Sequence, residues 1–424
     1  MFKLLPEMKR ILTLVLLSAL ALTAVAQKNK NQDKITRLEV AAMPAQLLEL
    51  MNQSTKQEEK LKACSKMIQN FQPVYNALDA SSQERVTTIY NTMIKLKVRP
   101  LPDLFDFTEA LMRFRSGSPA NFSAWLDCIE YLQGRSKRVK DVTDFVEFAD
   151  NLQKDRTLCK SSAALWQTQA GVAFTLRQVG KEIVVEFAQP MELYYSSNRD
   201  YGTIYGTSGS YYYFDNRWVG HGGRVNWDRT GIPSAQCYAT LNRYEAITKF
   251  PKFSADSAQF VNTKYFDRPI YGRIDEALSS RMEPEKYSYP KFRSYQKDFQ
   301  MKDVLPGIDY EGSFMMNGAK FVTTDEKSPA TMVFYRNGQR FITVKSTKFT
   351  ITSSRLSSER ASVRIYIDGD SICNDGVLAR YVASDKKVTL INDHKRNYYS
   401  PYSDSYHNLD VYSEQIVYCP PESK

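Results

Sequence analysis

Residues 208–227, which decide the fold, read SGSYYYFDNRWVGHGGRVNW. Residues 211–214 and 217–219 are rich in aromatic and branched side chains, which suit a pleated, half-buried strand. Asp215 and Asn216 lie between them and are of the residue types that tolerate the left-handed backbone angles of a short hairpin turn. The stretch therefore predicts a strand, a tight turn and a second strand.

Hairpins of the same kind recur toward the C-terminus. Residues 172–176 and 183–187 flank a turn at Gly180, and residues 332–344 contain Asn337-Gly338, the strongest short-range hairpin signal. Residues 362–367, 377–381 and 388–391 continue the pattern. We therefore predict that residues 161–424 form an all-antiparallel β domain of repeated hairpins, as a β-solenoid or jelly-roll or as a sandwich. Polar, proline-containing residues 277–300 allow a further boundary inside it.

Before this region the apolar residues repeat with the period of a helix. One clear stripe, at the i, i+3, i+4, i+7, i+8 positions of a helix, consists of Val86, Ile89, Tyr90, Met93 and Ile94. Ser54 with Gln57, and Ser81 with Glu84, have the spacing of capping boxes, so each pair is expected to open a helix. Residues 27–160 are thus predicted to form a helical bundle or a short α-solenoid. The fold class is α+β in two modules.

Residues 1–26 have the order of a secretory signal peptide. Lys3, Lys9 and Arg10 precede an apolar run over residues 11–22, and residues 24–26 supply a small-x-small cleavage site. That run is too short to cross a hydrocarbon core of roughly 30 Å as a helix. We expect export, a mature chain that starts at Gln27, and no transmembrane segment in that mature chain.

The charge pattern disfavours a nucleic-acid partner. The chain carries a net charge of +10, yet residues 27–160 hold 21 basic and 17 acidic residues and residues 161–424 hold 33 and 29. The signs are interleaved in both parts, whereas a nucleic-acid binder concentrates basic residues on one face. The dense basic cluster at residues 135–140 is interpreted as a solvated loop between helices.

The six cysteines lie at residues 64, 128, 159, 237, 373 and 419. In an exported protein this even count permits several disulfide pairings, and buried thiols are equally compatible with it. Their long spacings match neither a metal site nor a redox C-x-x-C pair.

Two stretches resemble known strand repeats. Residues 253–262 read FSADSAQFVN and residues 370–391 read DSICNDGVLARYVASDKKVTLI. Both resemble the repeats of large uncharacterised exported β-repeat proteins of Gram-negative bacteria. They also resemble, more faintly, the β-jelly-roll repeats of lipopolysaccharide-transport proteins. The second resemblance implies a groove for acyl chains, while neither resemblance implies particular functional residues.

The sequence contains no recognisable catalytic set. No H-E-x-x-H, G-x-S-x-G or phosphate-binding Gly-rich motif is present. Asp368-Gly-Asp370 lacks the ligand order of an EF-hand and is interpreted as a turn. Asp228 and Glu245 stand beside aromatic residues and are the glycosidase carboxylates that the sequence offers. We predict no cofactor and no metal.

Tyrosines mixed with serine and asparagine cluster in residues 194–213 and 398–418. This mixture is typical of binding loops, although alternate tyrosines of ordinary strands also face a core. The binding residues that the sequence nominates are Tyr194, Tyr195, Tyr211, Tyr213, Trp218, Trp227, Tyr398, Tyr399 and Tyr402.

These features favour an exported, non-enzymatic binding or scaffold protein of the bacterial cell envelope. Its location would be periplasmic, outer-membrane-associated or secreted. Its β domain would present a tyrosine-rich surface or an amphiphile groove to a protein, glycan or lipid partner. The alternative is a carbohydrate-binding or carbohydrate-active, glycoside-hydrolase-like protein.

Overall fold

The computed structural model describes residues 35–135, 138–279, 283, 286–324, 327–392 and 400–419. The expected signal peptide lies outside these residues. The chain divides into two compact units, Met1–Ala149 and Asp150–Lys424. Thr157–Lys160, which the sequence analysis placed in the helical domain, is a strand paired with Leu165–Thr168, so the β domain begins earlier than residue 161.

Helices make up the described part of the first unit, as the sequence predicts. They are α1 Met43–Gln53, α2 Glu58–Asn76, α3 Ala80–Lys95, α4 Phe105–Gly117, α5 Phe122–Arg135 and α6 Val139–Lys154, with short helical turns at Val40–Ala42, Pro100–Leu104 and Pro119–Asn121. The last turn of α6 extends past the boundary between the units. Among the described helices, none combines the length and the apolar character needed to cross a lipid bilayer.

Aromatic side chains fill the core of the helical unit. The rings of Phe107, Phe114 and Phe122 stack on Trp125 with centroids 5.6, 5.2 and 6.2 Å away. The hydroxyl groups of Tyr90 and Thr108 lie 2.7 Å apart, so the polar end of that buried tyrosine has a partner. Of the apolar stripe predicted on α3, Val86, Ile89, Tyr90 and Met93 are buried in the core, whereas Ile94 is half-buried.

Both predicted capping boxes are wrong. Ser54 follows α1 and donates its hydroxyl to the Met51 carbonyl at 2.6 Å, while α2 begins after Gln57 with no side-chain cap. In α3 the N-cap is Asp79, whose carboxylate accepts the Ser82 amide at 2.8 Å. A carboxylate at the N-terminus of a helix stabilises it both as a cap and through the helix dipole, which explains why Asp79 takes this role.

The second unit is an antiparallel sheet of 25 strands among the described residues, which confirms the predicted fold class. The strands are β1 Thr157–Lys160, β2 Leu165–Thr168, β3 Thr175–Val179, β4 Glu182–Ser196, β5 Tyr201–Tyr212, β6 Arg217–His221, β7 Arg224–Asn226, β8 Cys237–Thr240, β9 Arg243–Ile247, β10 Lys252–Asn262, β11 Ile270–Ala277, β12 Lys291–Ser294, β13 Phe299–Leu305, β14 Ile308–Gly312, β15 Met315–Asn317, β16 Lys320–Thr324, β17 Ala330–Arg336, β18 Gln339–Ser346, β19 Lys348–Ile351, β20 Arg355–Ile367, β21 Asp370–Val382, β22 Lys387–Asn392, β23 Tyr402–Asp404, β24 Leu409–Val411 and β25 Gln415–Tyr418.

The predicted hairpins are present, but the β5–β6 turn is longer than expected, since it includes Tyr213 and Phe214, which the sequence analysis placed in the first strand. Tyr212 pairs with Arg217 across the β5–β6 turn, and Asn216 adopts a φ of 48°. The β17–β18 turn places Asn337 and Gly338 at φ 53° and 76°, as a two-residue turn with left-handed central residues requires. These turns set the register of the strands on either side of them.

The long strands β5 and β10 each pair with two shorter strands along one edge. One edge of β5 pairs with β6 through residues 208–212 and with β7 at Tyr205. One edge of β10 likewise pairs with β9 through residues 254–256 and with β8 through residues 259–262. Between β5 and β10 the sheet therefore consists of two separate ribbons, β6–β9 and β7–β8.

A bulge accompanies each division. In β5 the consecutive residues Tyr205 and Gly206 are both exposed, and in β10 the same holds for Asp256 and Ser257. Gly206 and Ser257 have φ values of 67° and 56°. One extra outward residue bends the strand while keeping its later side chains on the same inner face.

The sheet continues through the interval in which the sequence allowed a boundary. Strand β12 lies within residues 277–300 and pairs with β11 on one side and with β15 on the other. Rings of Phe260 and Phe292 stack 4.1 Å apart, so the inner face is also continuous there.

Aromatic side chains pack directly against the backbone on the inner face of the sheet. The Trp218 indole donates to the Tyr244 hydroxyl at 2.9 Å, and Thr207 Oγ1 lies 2.9 Å from the same oxygen. The Tyr244 ring rests on Gly220, where an added Cβ would fall 2.1 Å from ring carbons. Position 220 therefore requires glycine.

We predict that Gly220→Ala lowers the free energy of unfolding by about 3 kcal/mol, because the ring and its two polar contacts must shift. Chemical denaturation followed by tryptophan fluorescence measures the change. The matched control is Gly376→Ala in β21, where the nearest atom to an added Cβ, Ser400 Oγ, is 3.6 Å away. Equal effects of the two substitutions would contradict the packing argument.

Candidate functional site

Most of the tyrosine and tryptophan residues nominated from the sequence belong to the core. The buried ones, each at most 3% exposed, are Tyr195, Tyr211, Trp218, Trp227 and Tyr402. Strand alternation turns these side chains to the inner face, so they cannot form a binding surface. Tyr213 is half-buried, and Tyr194 is 37% exposed. Tyr398 and Tyr399 lie outside the described residues.

The outer side of the sheet instead carries a group of aromatic and arginine side chains, which we name the tyrosine face. Its members are Tyr194 of β4, Tyr201 and Tyr205 of β5, Arg224 of β7, Tyr238 of β8, Tyr271 of β11, Arg293 of β12 and Tyr295 directly after β12. Tyr201, Tyr271 and Tyr295 are more than half exposed. Exposed large side chains gathered in this way mark interaction surfaces.

The pairing register of the strands places several residues of the tyrosine face in one row. One row across neighbouring strands consists of Tyr205, Arg224, Thr240, Gln259 and Tyr271. With about 4.8 Å between adjacent strands, this row extends about 19 Å. The Tyr295 amide donates to the Tyr271 carbonyl at 3.0 Å, which carries the surface on to the end of β12.

Local contacts hold several of these rings in place. The Arg224 guanidinium lies 3.7 Å from the centroid of the Tyr238 ring. The Tyr194 hydroxyl donates to Glu192 at 2.6 Å, and the Tyr295 hydroxyl accepts the Ser257 amide at 2.9 Å. Rings that are already oriented lose less conformational entropy when a partner binds.

A second part of the outer surface, on β9, β10 and β11, has a different composition. Arg243 pairs with Glu245 at 2.9 Å, and Arg273 pairs with Asp256 and Asp275 at 3.1 and 3.0 Å. These exposed ion pairs of mixed sign are ordinary for a solvated sheet surface. We refer to this part as the charged face.

Beneath the outer surface lies a buried ion-pair cluster. The Arg229 guanidinium contacts the carboxylates of both Asp200 and Glu276, whose side chains are 3% and 1% exposed. The Trp227 indole donates to Glu276 Oε2 at 2.8 Å. Burial raises the pKa of Glu276 to about 7, while Arg229 and Trp227 act in the opposite direction. One cation serves two carboxylates here, so the cluster favours a proton on Glu276.

This cluster anchors the scaffold of the tyrosine face. Asp200 directly precedes Tyr201 at the start of β5, Arg229 follows β7, and Glu276 lies in β11. Its three charged groups therefore connect the start of β5, the segment after β7 and the end of β11, three strands that carry members of the tyrosine face. Since the guanidinium and both carboxylates are already engaged and buried, we assign the cluster a positioning role.

The two carboxylates that the sequence offered for glycoside hydrolysis are engaged separately. Asp228 Oδ1 accepts the Ser234 amide at 2.6 Å, in the short helical turn Asp228–Thr230. Glu245 lies in β9 on the charged face, paired with Arg243. The two side chains thus have unrelated local partners.

A further group of polar residues surrounds the β20–β21 turn. Asp368, Asp370, Asp404 and His407 line a hollow of about 350 Å³, and His407 Nδ1 lies 2.8 Å from Asp404 Oδ2. Within the described residues, no group of three or more histidine, cysteine or acidic side chains has the arrangement to hold a metal ion. All six cysteines are among the described residues, and none forms a disulfide.

No protein-family model matches this chain, and neither curated proteins nor solved structures show significant similarity to it.

Sequence reasoning missed most of the tyrosine face. Tyr201, Tyr205, Tyr238, Tyr271 and Tyr295 were not among the nominated residues. Every second residue of a strand points outward, but the bulges in β5 and β10 shift that alternation partway along each strand. The positive-φ positions Gly206 and Ser257 mark these shifts, and Gly206 was the sequence signal available for one of them.

The raised pKa of Glu276 predicts a pH-dependent stability. Between its ordinary value of 4.5 and about 7 the folded protein binds more protons than the unfolded chain. The free energy of unfolding should therefore fall as pH rises through this range, by on the order of 3 kcal/mol, and level off above it. Chemical denaturation between pH 4.5 and 8.5 measures the slope, and Glu276→Gln should flatten it. An unchanged slope in that variant would contradict the assignment.

Loss of the Arg229 guanidinium should lower the stability of the protein far more than loss of a surface charge. We predict that Arg229→Met destabilises the protein by about 3–5 kcal/mol at pH 8, since two buried carboxylates lose their counterion. Arg243→Met removes a guanidinium of the charged face and should cost less than about 1 kcal/mol. Urea denaturation of both variants tests this, and similar losses would exclude an anchoring role for Arg229.

Proposed function

We propose that this protein is a non-enzymatic binding protein and that its tyrosine face holds a partner protein. The observation that carries the proposal is the composition of that face. Its exposed side chains are tyrosines and arginines, and half-buried uncharged polar residues such as Thr203, Asn226 and Gln259 lie between them. Tyrosine and arginine are enriched at the centres of protein interfaces, where lysine and acidic residues are depleted.

The size of the tyrosine face suits such a partner. From β4 to β12 it crosses seven strands, which corresponds to about 29 Å. A surface of this width can supply much of the roughly 800 Å² that each partner buries in a stable complex. The expected signal peptide supports a location outside the cytoplasm, in the cell envelope or in the medium.

A carbohydrate ligand is the second proposal, because exposed flat rings are also platforms for sugars. Sugar hydroxyl groups are commonly bound by carboxylates, and the carboxylates that border the described part of the tyrosine face are already engaged, Glu192 by the Tyr194 hydroxyl and Asp256 and Asp275 by Arg273. This composition favours a protein partner. The inner face is filled by Trp166, Trp218 and Trp227, which gives no support to an amphiphile groove.

Site-specific photo-crosslinking tests the proposal in the producing cells. A benzophenone amino acid at position 205 or 271 should form a discrete protein adduct on irradiation. The matched control position is 335, since Tyr335 is also an exposed strand tyrosine but lies on β17. We expect no adduct there. Absence of adducts at 205 and 271, or equal adducts at 335, would refute a protein partner.

Alanine substitutions in the tyrosine face should then weaken the captured complex. We predict that Tyr238→Ala and Tyr271→Ala each reduce affinity by about 5- to 30-fold, as interface tyrosines do, whereas Tyr335→Ala has no effect. A glycan array provides the competing readout. Glycan binding that disappears in Tyr271→Ala would establish the carbohydrate alternative instead.

A further inference from the structure

The charge on the tyrosine face is of one sign. Its two arginines, Arg224 and Arg293, are exposed. Within the part of the chain that the structure describes, no carboxylate lies within ion-pair distance of either guanidinium. The charged face differs in this respect, because its arginines are matched by neighbouring acidic groups. Both charged members of the tyrosine face are thus guanidinium groups without an ion-pair partner among the described residues.

Strand pairing strengthens this feature. Arg293 of β12 is directly opposite Arg273 of β11. Like charges at directly opposed positions destabilise a sheet. Arg273 pairs with both Asp256 and Asp275, and among the described residues neither of these carboxylates lies within ion-pair distance of Arg293, whose donors stay available to a ligand.

The remaining polar groups of the surface are also suited to an anion. The Tyr238 ring supports the Arg224 guanidinium, which orients it without neutralising it. Glu192, the acidic neighbour at the edge of the tyrosine face, already accepts the Tyr194 hydroxyl. The uncharged neighbours Asn226, Thr240 and Gln259 add hydrogen-bond donors.

We propose that the partner of the tyrosine face presents an extended acidic segment, with carboxylates that bind Arg224 and Arg293 and a chain that crosses the rings of Tyr238 and Tyr271. This inference rests on the proposed function and names the chemistry of its partner. The two arginines are four strand intervals apart, which with the offset along the strands is about 20 Å. An extended peptide covers this distance in about six residues.

Peptide binding to the full chain tests the inference. The probes are fluorescein-labelled (Glu-Gly)₁₀, (Lys-Gly)₁₀ and (Ser-Gly)₁₀, followed by fluorescence anisotropy at 50 and 300 mM NaCl. We expect the glutamate peptide alone to bind, with about tenfold weaker binding at the higher salt concentration. Arg224→Gln and Arg293→Gln should each weaken it by about threefold, and together by about tenfold.

The matched control is Arg364→Gln, which removes the same charge from an exposed position of β20 outside the tyrosine face. It should leave peptide binding unchanged, and an equal loss in this variant would overturn the inference. Tighter, equally arginine-dependent binding of polygalacturonate than of the peptide would overturn it in favour of an acidic glycan. Circular dichroism confirms that each variant is folded.

The outcomes separate this inference from the proposal beneath it. If crosslinked adducts form at positions 205 and 271 but neither arginine variant reduces adduct yield, the acidic segment is wrong and the protein-binding function stands. If the adducts themselves are absent, the proposed function fails as well. Loss of adducts in the double arginine variant, with retention in Arg364→Gln, supports both.

Discussion

The part of the sheet beneath the tyrosine face depends on β5 and β10, each of which pairs with two neighbours along a single edge. β5 serves both β6 and β7, and β10 serves both β8 and β9. A straight strand could not satisfy both neighbours once the sheet bends, because its side chains would leave the core. The bulges at Gly206 and Ser257 resolve this conflict, since each adds one outward residue and returns the next side chain to the inner face.

Inner and outer surfaces then acquire opposite roles. Trp218, Tyr244 and Tyr195 fill the interior and close it around glycines such as Gly220. The Arg229 cluster resists the exposure of its own charges and so holds the ends of β5, β7 and β11 together. A surface mounted on strands fixed in this way is ordered before any partner arrives, which is the condition under which exposed tyrosines contribute most to binding.

Sequence reasoning succeeded where the signal was local. Asn337-Gly338 forms the turn that its dipeptide predicts, and four of the five stripe residues on α3 are buried. It failed at Ser81 because Asp79 caps the same helix with a carboxylate, which the helix dipole also favours. It failed at Ser54 because that residue ends one helix instead of opening the next. It failed again at Tyr195 and Tyr211, since tyrosine density along the chain does not report which face each ring occupies.

The sequence by itself determined the two-part organisation, the antiparallel hairpins and the presence of tyrosine-rich strands, because turns and periodicity act over a few neighbouring residues. Only the tertiary structure decided which tyrosines meet solvent and which charges are compensated. Tyr205, Tyr238 and Tyr271 are far apart in the chain and become one surface through pairing between β5, β7, β8, β10 and β11. That assembly depends on long-range register and on two bulges. After each bulge, the residues of the strand that point outward change from odd to even positions or the reverse.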